Sequence, residues 1–250
     1  MNTLSKNQLK NLAAYRMAKR CDEEGLFVVE GVRMCDEALR SGFLIRTLCA
    51  TADYLLSNTD MLSAPQEVFE VSQEQLERLS LMRSPNKVWM LLERPQMPAP
   101  DLSATELTLV FDGLQDPGNM GTMLRTADWF GIRQVVCSLD TVSCFNPKVV
   151  QASMGAIFRT HIHYTPLPDF LRRAKGEGLP VYGAMLDGSD VYSAALQRPA
   201  LLVIGNEGRG LRPEVAAELS HRLTIPNRGG TCESLNAALA TAILCSEFYR

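Results

Sequence analysis

The sequence predicts an α/β protein: a parallel sheet with helices on both faces, preceded by a small α/β domain. Three observations lead there. Apolar, β-rich runs alternate with helical patterns throughout, and in the second half the strands are almost continuously apolar, as strands buried on both faces are. The stretch RPQMPAPD at 94–101 holds three prolines in eight residues, which disfavours helix and central strand and reads as a linker. The composition, 46% hydrophobic and 21% charged over 250 residues, is that of a globular chain long enough to bury its cores without staples. We place the first domain at 1–95, the linker at 94–103 and the second domain at 104–250.

In the first domain, strands are expected at Leu26–Glu30, Leu44–Ala50, Val68–Val71 and Val88–Leu92, and helices at Val32–Arg40 and Gln73–Leu79, with Ser72 capping the second. Residues 6–20 carry Lys6, Lys10, Arg16, Lys19 and Arg20 without an acidic residue, which reads as the solvated face of a helix. In the second domain, strands are expected at Leu107–Phe111, Gln134–Cys137, Val181–Ala184, Leu201–Ile204 and Leu223–Ile225. Helices are expected at Met120–Phe130, Lys148–Phe158, Pro168–Lys175 and Pro213–Leu219. A last helix is apolar from Ala237 to Cys245 except at Thr241. A helix apolar all round must be covered all round. One sheet covers one side, so the pattern points to a homodimer, with burial under the first domain as the competing explanation.

Several function classes are excluded or weakened. The net charge of −3 argues against coating nucleic acid by bulk charge, though not against a local basic patch. Seven scattered cysteines, with no CxxC pair, read as reduced, cytoplasmic usage. Of three histidines, His161 and His163 alternate along an expected strand and read as solvated edge residues, so no metal is expected. No apolar run is long enough to span a membrane, and the polar, basic N-terminus carries no apolar core of a signal peptide. The GxGxxG, GxxxxGK[ST], GxSxG and HExxH motifs are all absent.

What remains are three loops at the carboxyl ends of expected strands, where open parallel sheets bind ligands. They are DGLQDPGNMG (112–121), GNEGRG (205–210) and PNRGG with CESLN after it (226–236). Each has a plain structural explanation: glycines for tight turns, Asn119 as a turn or cap, Glu207 as a first-turn acid, Ser234 as a helix cap. Three such loops in one domain point beyond that.

Together they resemble the SpoU (TrmH) family of the SPOUT RNA methyltransferases. The first family motif is seen in DGLQDPGNMGTMLRTADWFG, with Asn119 and Arg125; the second in LLVIGNEGRGL, with Glu207; the third in LTIPNRGGTCESLNAALA, with Ser234 and Asn236. NPKVVQASMGAIFR is similar to the family segment between the first two, and the resemblance covers about residues 104–250. The first domain is similar to the family's substrate-binding extension, a ribosomal-protein-like sandwich.

The resemblance implies a C-terminal trefoil knot, a homodimer, and transfer of a methyl group from S-adenosylmethionine to a ribose 2′-hydroxyl of RNA, ribosomal rather than transfer RNA. It implies that Asn119, Arg125, Glu207, Ser234 and Asn236 form the catalytic set. It implies that Gly205, Ile225, Pro226 and Leu235 hold the cofactor. Arg125 is either the base for the hydroxyl or, since a guanidinium resists deprotonation, a clamp on an RNA phosphate. Three positions depart from the family pattern: Asn227 where a hydrophobic residue is usual, a longer loop before Ser234, and Gln151 where arginine is common. A transfer-RNA methyltransferase, a non-catalytic ribosome-assembly factor and a base methyltransferase of the same fold are the alternatives.

Overall fold

The computed structural model describes residues 2–102 and 106–250. They form two compact units, one of residues 2–96 with 145–158, the other of 97–144 with 159–250 and without the undescribed 103–105. The first unit therefore takes in a segment from beyond the proline-rich stretch, which a linear division there does not anticipate.

The first unit runs β1 (Asn2–Thr3), α1 (Lys6–Ala13), α2 (Ala18–Glu24), β2 (Leu26–Glu30), α3 (Val32–Arg40), β3 (Ile45–Ala50), α4 (Ala52–Ser57), β4 (Glu67–Glu70), α5 (Gln73–Leu79) and β5 (Val88–Glu93). Its mixed sheet has the order β1-β4-β3-β5-β2. Ser5 and Ser72 each close a capping box, on α1 and α5, and so satisfy otherwise orphaned first-turn N–H groups. Every residue of β2 is buried, because the strand is covered on both faces. One face packs Leu26, Val28, Trp89 and Leu91 with Leu9, Leu76 and Leu79 of the helices. The basic 6–20 stretch is two helices, not one, parted by a 3-10 turn at Ala14–Arg16. Lys19 and Arg20 pair with Glu23 and Glu24 one turn on.

The second unit opens with β6 (Leu107–Asp112), α6 (Pro117–Trp129) and β7 (Gln134–Cys137). The chain then makes α7 (Pro147–Ser153), the segment that packs with the first unit. It continues through β8 (His161–Tyr164), α8 (Leu167–Gly176), β9 (Val181–Asp190), β10 (Ala200–Gly205), α9 (Pro213–Ala216), β11 (His221–Thr224) and α10 (Ala237–Phe248). The sheet has the order β11-β9-β10-β6-β7-β8, with every pairing parallel. Val110, Val136, Val181, Leu201 and Val203 pack one face against Leu167, Phe170, Leu171 and Ala174 of α8.

Several expectations shift, each for a local reason. α6 begins three residues early, because Asp116 caps it by accepting from Asn119 N–H at 2.7 Å and Pro117 suits the first helical position. Asn119 thus sits in the first turn of the helix. The helix expected over Lys148–Phe158 stops at Ser153, because Met154 turns left-handed at φ 50° and Gly155 follows at φ 95°; a 3-10 turn, Ala156–Phe158, completes the segment. Strand β9 is longer than expected, since its pairing with β11 shifts register between Arg222 and Leu223, from Gly183 to Ser189. β8 lies at the sheet edge, but His163 is buried rather than solvated, and burial lowers its pKa. His161 is the exposed member.

Candidate active site

The carboxyl ends of β6, β10 and β11 bring the three singled-out loops to one edge of the sheet. The first two loops are locked together at their base. Asp112, with a fully buried side chain, accepts from Arg212 N–H at 2.8 Å and from Arg212 Nε at 2.7 Å. Arg212 also reaches Asp140 at 3.6 Å. Hydrogen bonding from Ser138, then the charges of Arg212 and Arg209, hold the Asp140 carboxyl below the usual range. Asn206 donates to the Gly113 carbonyl at 2.7 Å and accepts from Gly208 and Arg209 N–H at 3.0 and 3.1 Å, closing the 206–210 turn. Gly113 has φ 69°, which is why the acidic turn after β6 needs glycine.

Above this base a chain of side-chain hydrogen bonds crosses all three motifs. Asn236 Nδ2 donates to Asn119 Oδ1 at 2.9 Å, and Asn119 Nδ2 donates to Glu207 Oε1 at 3.0 Å. Asn236 also caps α10, accepting from Ala238 and Leu239 N–H at 2.9 and 3.3 Å. Each amide spends its donor on the next acceptor, so the row is polarised toward the exposed Glu207 carboxylate. Residues 88 and 117 positions from Asn119 in sequence are thereby fixed side by side.

Arg125 and Ser234 stand outside that row. Both are exposed, and neither side chain makes a hydrogen bond or ion pair among the described residues. Arg125 lies six residues after Asn119 on α6, a third of a turn away around the axis at 100° per residue. An exposed guanidinium without a carboxylate partner is available to an anion. One turn on, on the same face, Trp129 is 85% exposed. Composition and motif gave no sign of it; only the burial of Met120, Met123, Leu124 and Ala127 on the opposite side reveals it.

The residues assigned to the cofactor flank β9. Gly205 ends β10, and Ile225 and Pro226 follow β11, while β9 lies between those two strands in the sheet. The irregular stretch of β9 from Ala184 to Gly188, with Leu186 75% exposed, is therefore part of the same edge, and no motif singled it out. The arrangement fits an adenosyl group. The half-buried Ile225 and Pro226 and the exposed Leu235 and Leu186 offer apolar surface for a ring. The main-chain groups of Ile225 and Leu235 make no hydrogen bond among the described residues and can serve its polar edge. Gly205 has a different constraint from close approach of a ligand: a Cβ there would stand 2.4 Å from Gly210 C and 2.6 Å from Leu211 N. Its lack of a side chain is required by the chain's own turn.

The SpoU rRNA Methylase family profile matches residues 106–246, more than half of the chain. The chain belongs to the SpoU rRNA methylase family. In this SpoU protein, residues 6–89 also match the MRM3-like substrate binding domain. A 23S rRNA guanosine 2′-O-methyltransferase of Bacillus subtilis is 29% identical, with 96% of this chain and 95% of that protein covered. A 23S rRNA uridine 2′-O-methyltransferase of Streptomyces viridochromogenes is 31% identical, with 88% and 81% covered. Among solved structures, a TrmH-family protein from Porphyromonas gingivalis is 44% identical, with 99% and 98% covered at a TM-score of 0.86. An AdoMet-bound rRNA methyltransferase from Sinorhizobium meliloti is 28% identical, with 99% and 96% covered at 0.86. Among the described residues of the SpoU chain, no three His, Cys, Asp or Glu side chains are grouped to hold a metal.

Proposed function

We propose that this SpoU enzyme, which moves a methyl group from S-adenosylmethionine to a ribose 2′-hydroxyl of RNA, acts on ribosomal RNA through Asn119, Arg125, Glu207, Ser234 and Asn236. The observation that carries the reading is the Asn236–Asn119–Glu207 row, which ties the three motif loops into one polar surface beside the cofactor positions. S-adenosylmethionine supplies the methyl as an electrophilic sulfonium, so the protein's task is to align the hydroxyl with it. The C–S bond breaks as the C–O bond forms, S-adenosylhomocysteine leaves, and the hydroxyl proton passes toward the neighbouring RNA phosphate. Arg125 grips the phosphate next to the target ribose, its fork being unoccupied by any carboxylate among the described residues. Ser234 hydrogen-bonds the ribose, and the Asn row fixes the loops that present it. Gly205, Ile225, Pro226 and Leu235 hold the adenosyl group.

Ribosomal RNA is favoured over transfer RNA because two relatives aligned over most of the chain are named for 23S rRNA. A structure described as acting on tRNA positions C/U34 matches only 58% of the chain. Residues 1–95 then select the RNA, in keeping with the substrate-binding profile at 6–89. The presence of all five polar residues disfavours a non-catalytic assembly factor. We place the enzyme in the cytoplasm, in keeping with the scattered, unpaired cysteines. It works as a homodimer through the uncovered side of α6 and α10, where Trp129 and Leu239 are 85% and 59% exposed. The test is incubation with S-adenosylmethionine and RNA from cells lacking the protein, followed by mass spectrometry of the digested nucleosides. A methyl on a 23S ribose is expected. A methyl on a base, or on transfer RNA alone, would overturn the reading.

A further inference from the structure

We infer that Asn227 is a positioning residue that clasps the third-motif loop into the shape that receives the cofactor, an inference that rests on the function proposed above. Its amide is fully engaged within the loop. Oδ1 accepts from Gly229 N–H at 3.0 Å and Gly230 N–H at 2.7 Å, and Nδ2 donates to the Gly230 carbonyl at 3.1 Å and the Cys232 carbonyl at 3.2 Å. Four bonds from one side chain thus span residues 227–232, a stretch that is exposed throughout and belongs to no helix or strand. Without the clasp, that stretch has only solvent to satisfy its backbone, and nothing else among the described residues holds the Gly229–Gly230 pair.

Glycines carry the largest conformational freedom to be lost on ordering, so this segment has the most to gain from a side chain that fixes it. Gly229 sits at φ 98°, a conformation the clasp needs and glycine permits. A Cβ on Gly230 would lie 3.4 Å from Asn227 Oδ1, so the amide is seated closely against that turn. The loop is bounded by Ile225 and Pro226 on one side and Leu235 on the other. Holding 227–232 fixes the separation of those two flanks before the cofactor arrives, and a loop ordered in advance binds more tightly than one ordered on binding. This also gives the departure from the family pattern a physical role. The hydrophobic residue usual at this position can contribute packing. An asparagine contributes a local hydrogen-bonded turn, which suits a loop with an extra residue.

The experiment compares the wild type with Asn227→Ala, Asn227→Asp and Asn227→Met in the full chain. Trypsin cleavage at the Arg228–Gly229 bond, followed by mass spectrometry without cofactor, reads the clasp directly. Calorimetry with S-adenosylmethionine reads its consequence. For Asn227→Ala and Asn227→Met, cleavage at this bond is expected to quicken roughly tenfold and the cofactor Kd to weaken by about three- to tenfold, the scale of one or two net hydrogen bonds. The melting temperature should stay near wild type, because the loop is exposed. Asn227→Asp keeps the oxygen that accepts from Gly229 and Gly230 but turns a second oxygen on the Gly230 and Cys232 carbonyls, so it should not restore the clasp. Unchanged cleavage and unchanged Kd in Asn227→Ala, with a wild type that binds the cofactor, would overturn the clasp alone. Faster cleavage with unchanged Kd would overturn its link to the cofactor. A wild type that binds no S-adenosylmethionine would instead overturn the function on which the inference rests.

Discussion

Arg125 and Asn119 share a helix and face different tasks. Asn119 is engaged on both sides of its amide, by Asn236 and Glu207, whereas the exposed Arg125 has no partner among the described residues. The expected result for Arg125→Ala is loss of 2′-O-methylation with cofactor affinity changed by less than a few fold, read by methyl incorporation and calorimetry. Arg125→Lys should be almost as impaired, because an ammonium cannot reproduce the planar fork on a phosphate. Normal turnover in either variant would remove Arg125 from the site. His163 gives a second prediction at this scale. Burial lowers its folded-state pKa, so between that value and about 6.5 the unfolded chain binds more protons than the folded one. Stability is then full above about pH 6.5 and falls as the pH drops through that window. Melting curves from pH 5 to 7.5 should show this slope, and His163→Gln should flatten it.

At the scale of elements, the site rests on the junction between β6 and the turn that follows β10. Asp112 carries its buried carboxylate at the last position of β6, and Arg212 meets it with a main-chain N–H and the guanidinium together. Removing one partner of a buried pair strands the other charge. Arg212→Ala should therefore lower stability by about 2 kcal/mol. This is less than the cost at a fully buried pair, because the Arg212 side chain is 40% exposed and partly screened. The same change should loosen Glu207 from Asn119, since the turn that carries Glu207 loses its anchor. Chemical denaturation checks the first effect and kcat against KM the second; a variant as stable as wild type would show that the Asn206–Gly113 contact suffices alone.

At the scale of the molecule, α10 is the informative element. Ala238, Thr241, Leu244, Cys245 and Phe248 are buried within the chain, and Leu239 is not. An apolar helix left open on one side, beside a helix that exposes a tryptophan, has the character of an interface between copies. The homodimer proposal predicts that Trp129→Asp converts a dimer to a monomer in light scattering at micromolar concentration, with the fold kept because Trp129 packs little within its own chain. A wild-type monomer at that concentration would sink the proposal.

Local chemistry determined much of this protein from its sequence. Val32–Arg40 and Gln73–Leu79 fall where their apolar spacing and caps put them, and Leu26–Glu30 and Gln134–Cys137 are strands because their residues are apolar, β-prone and bounded by turn signals. Asp116, Asn206 and Asn236 act through neighbours a few positions away, and the three motif loops could be singled out because glycine, asparagine and acid at strand ends have few other uses. Only the tertiary structure decided the rest. It decided that α7 packs with the first unit, that β9 stands between the two cofactor-flanking strands, and that Trp129 is left uncovered. It also set Asn119 between Asn236 and Glu207 and left Arg125 outside the row. The reason is that periodicity reports which side of an element is apolar, whereas contacts between residues about a hundred positions apart depend on strand order, and strand order has no local signature.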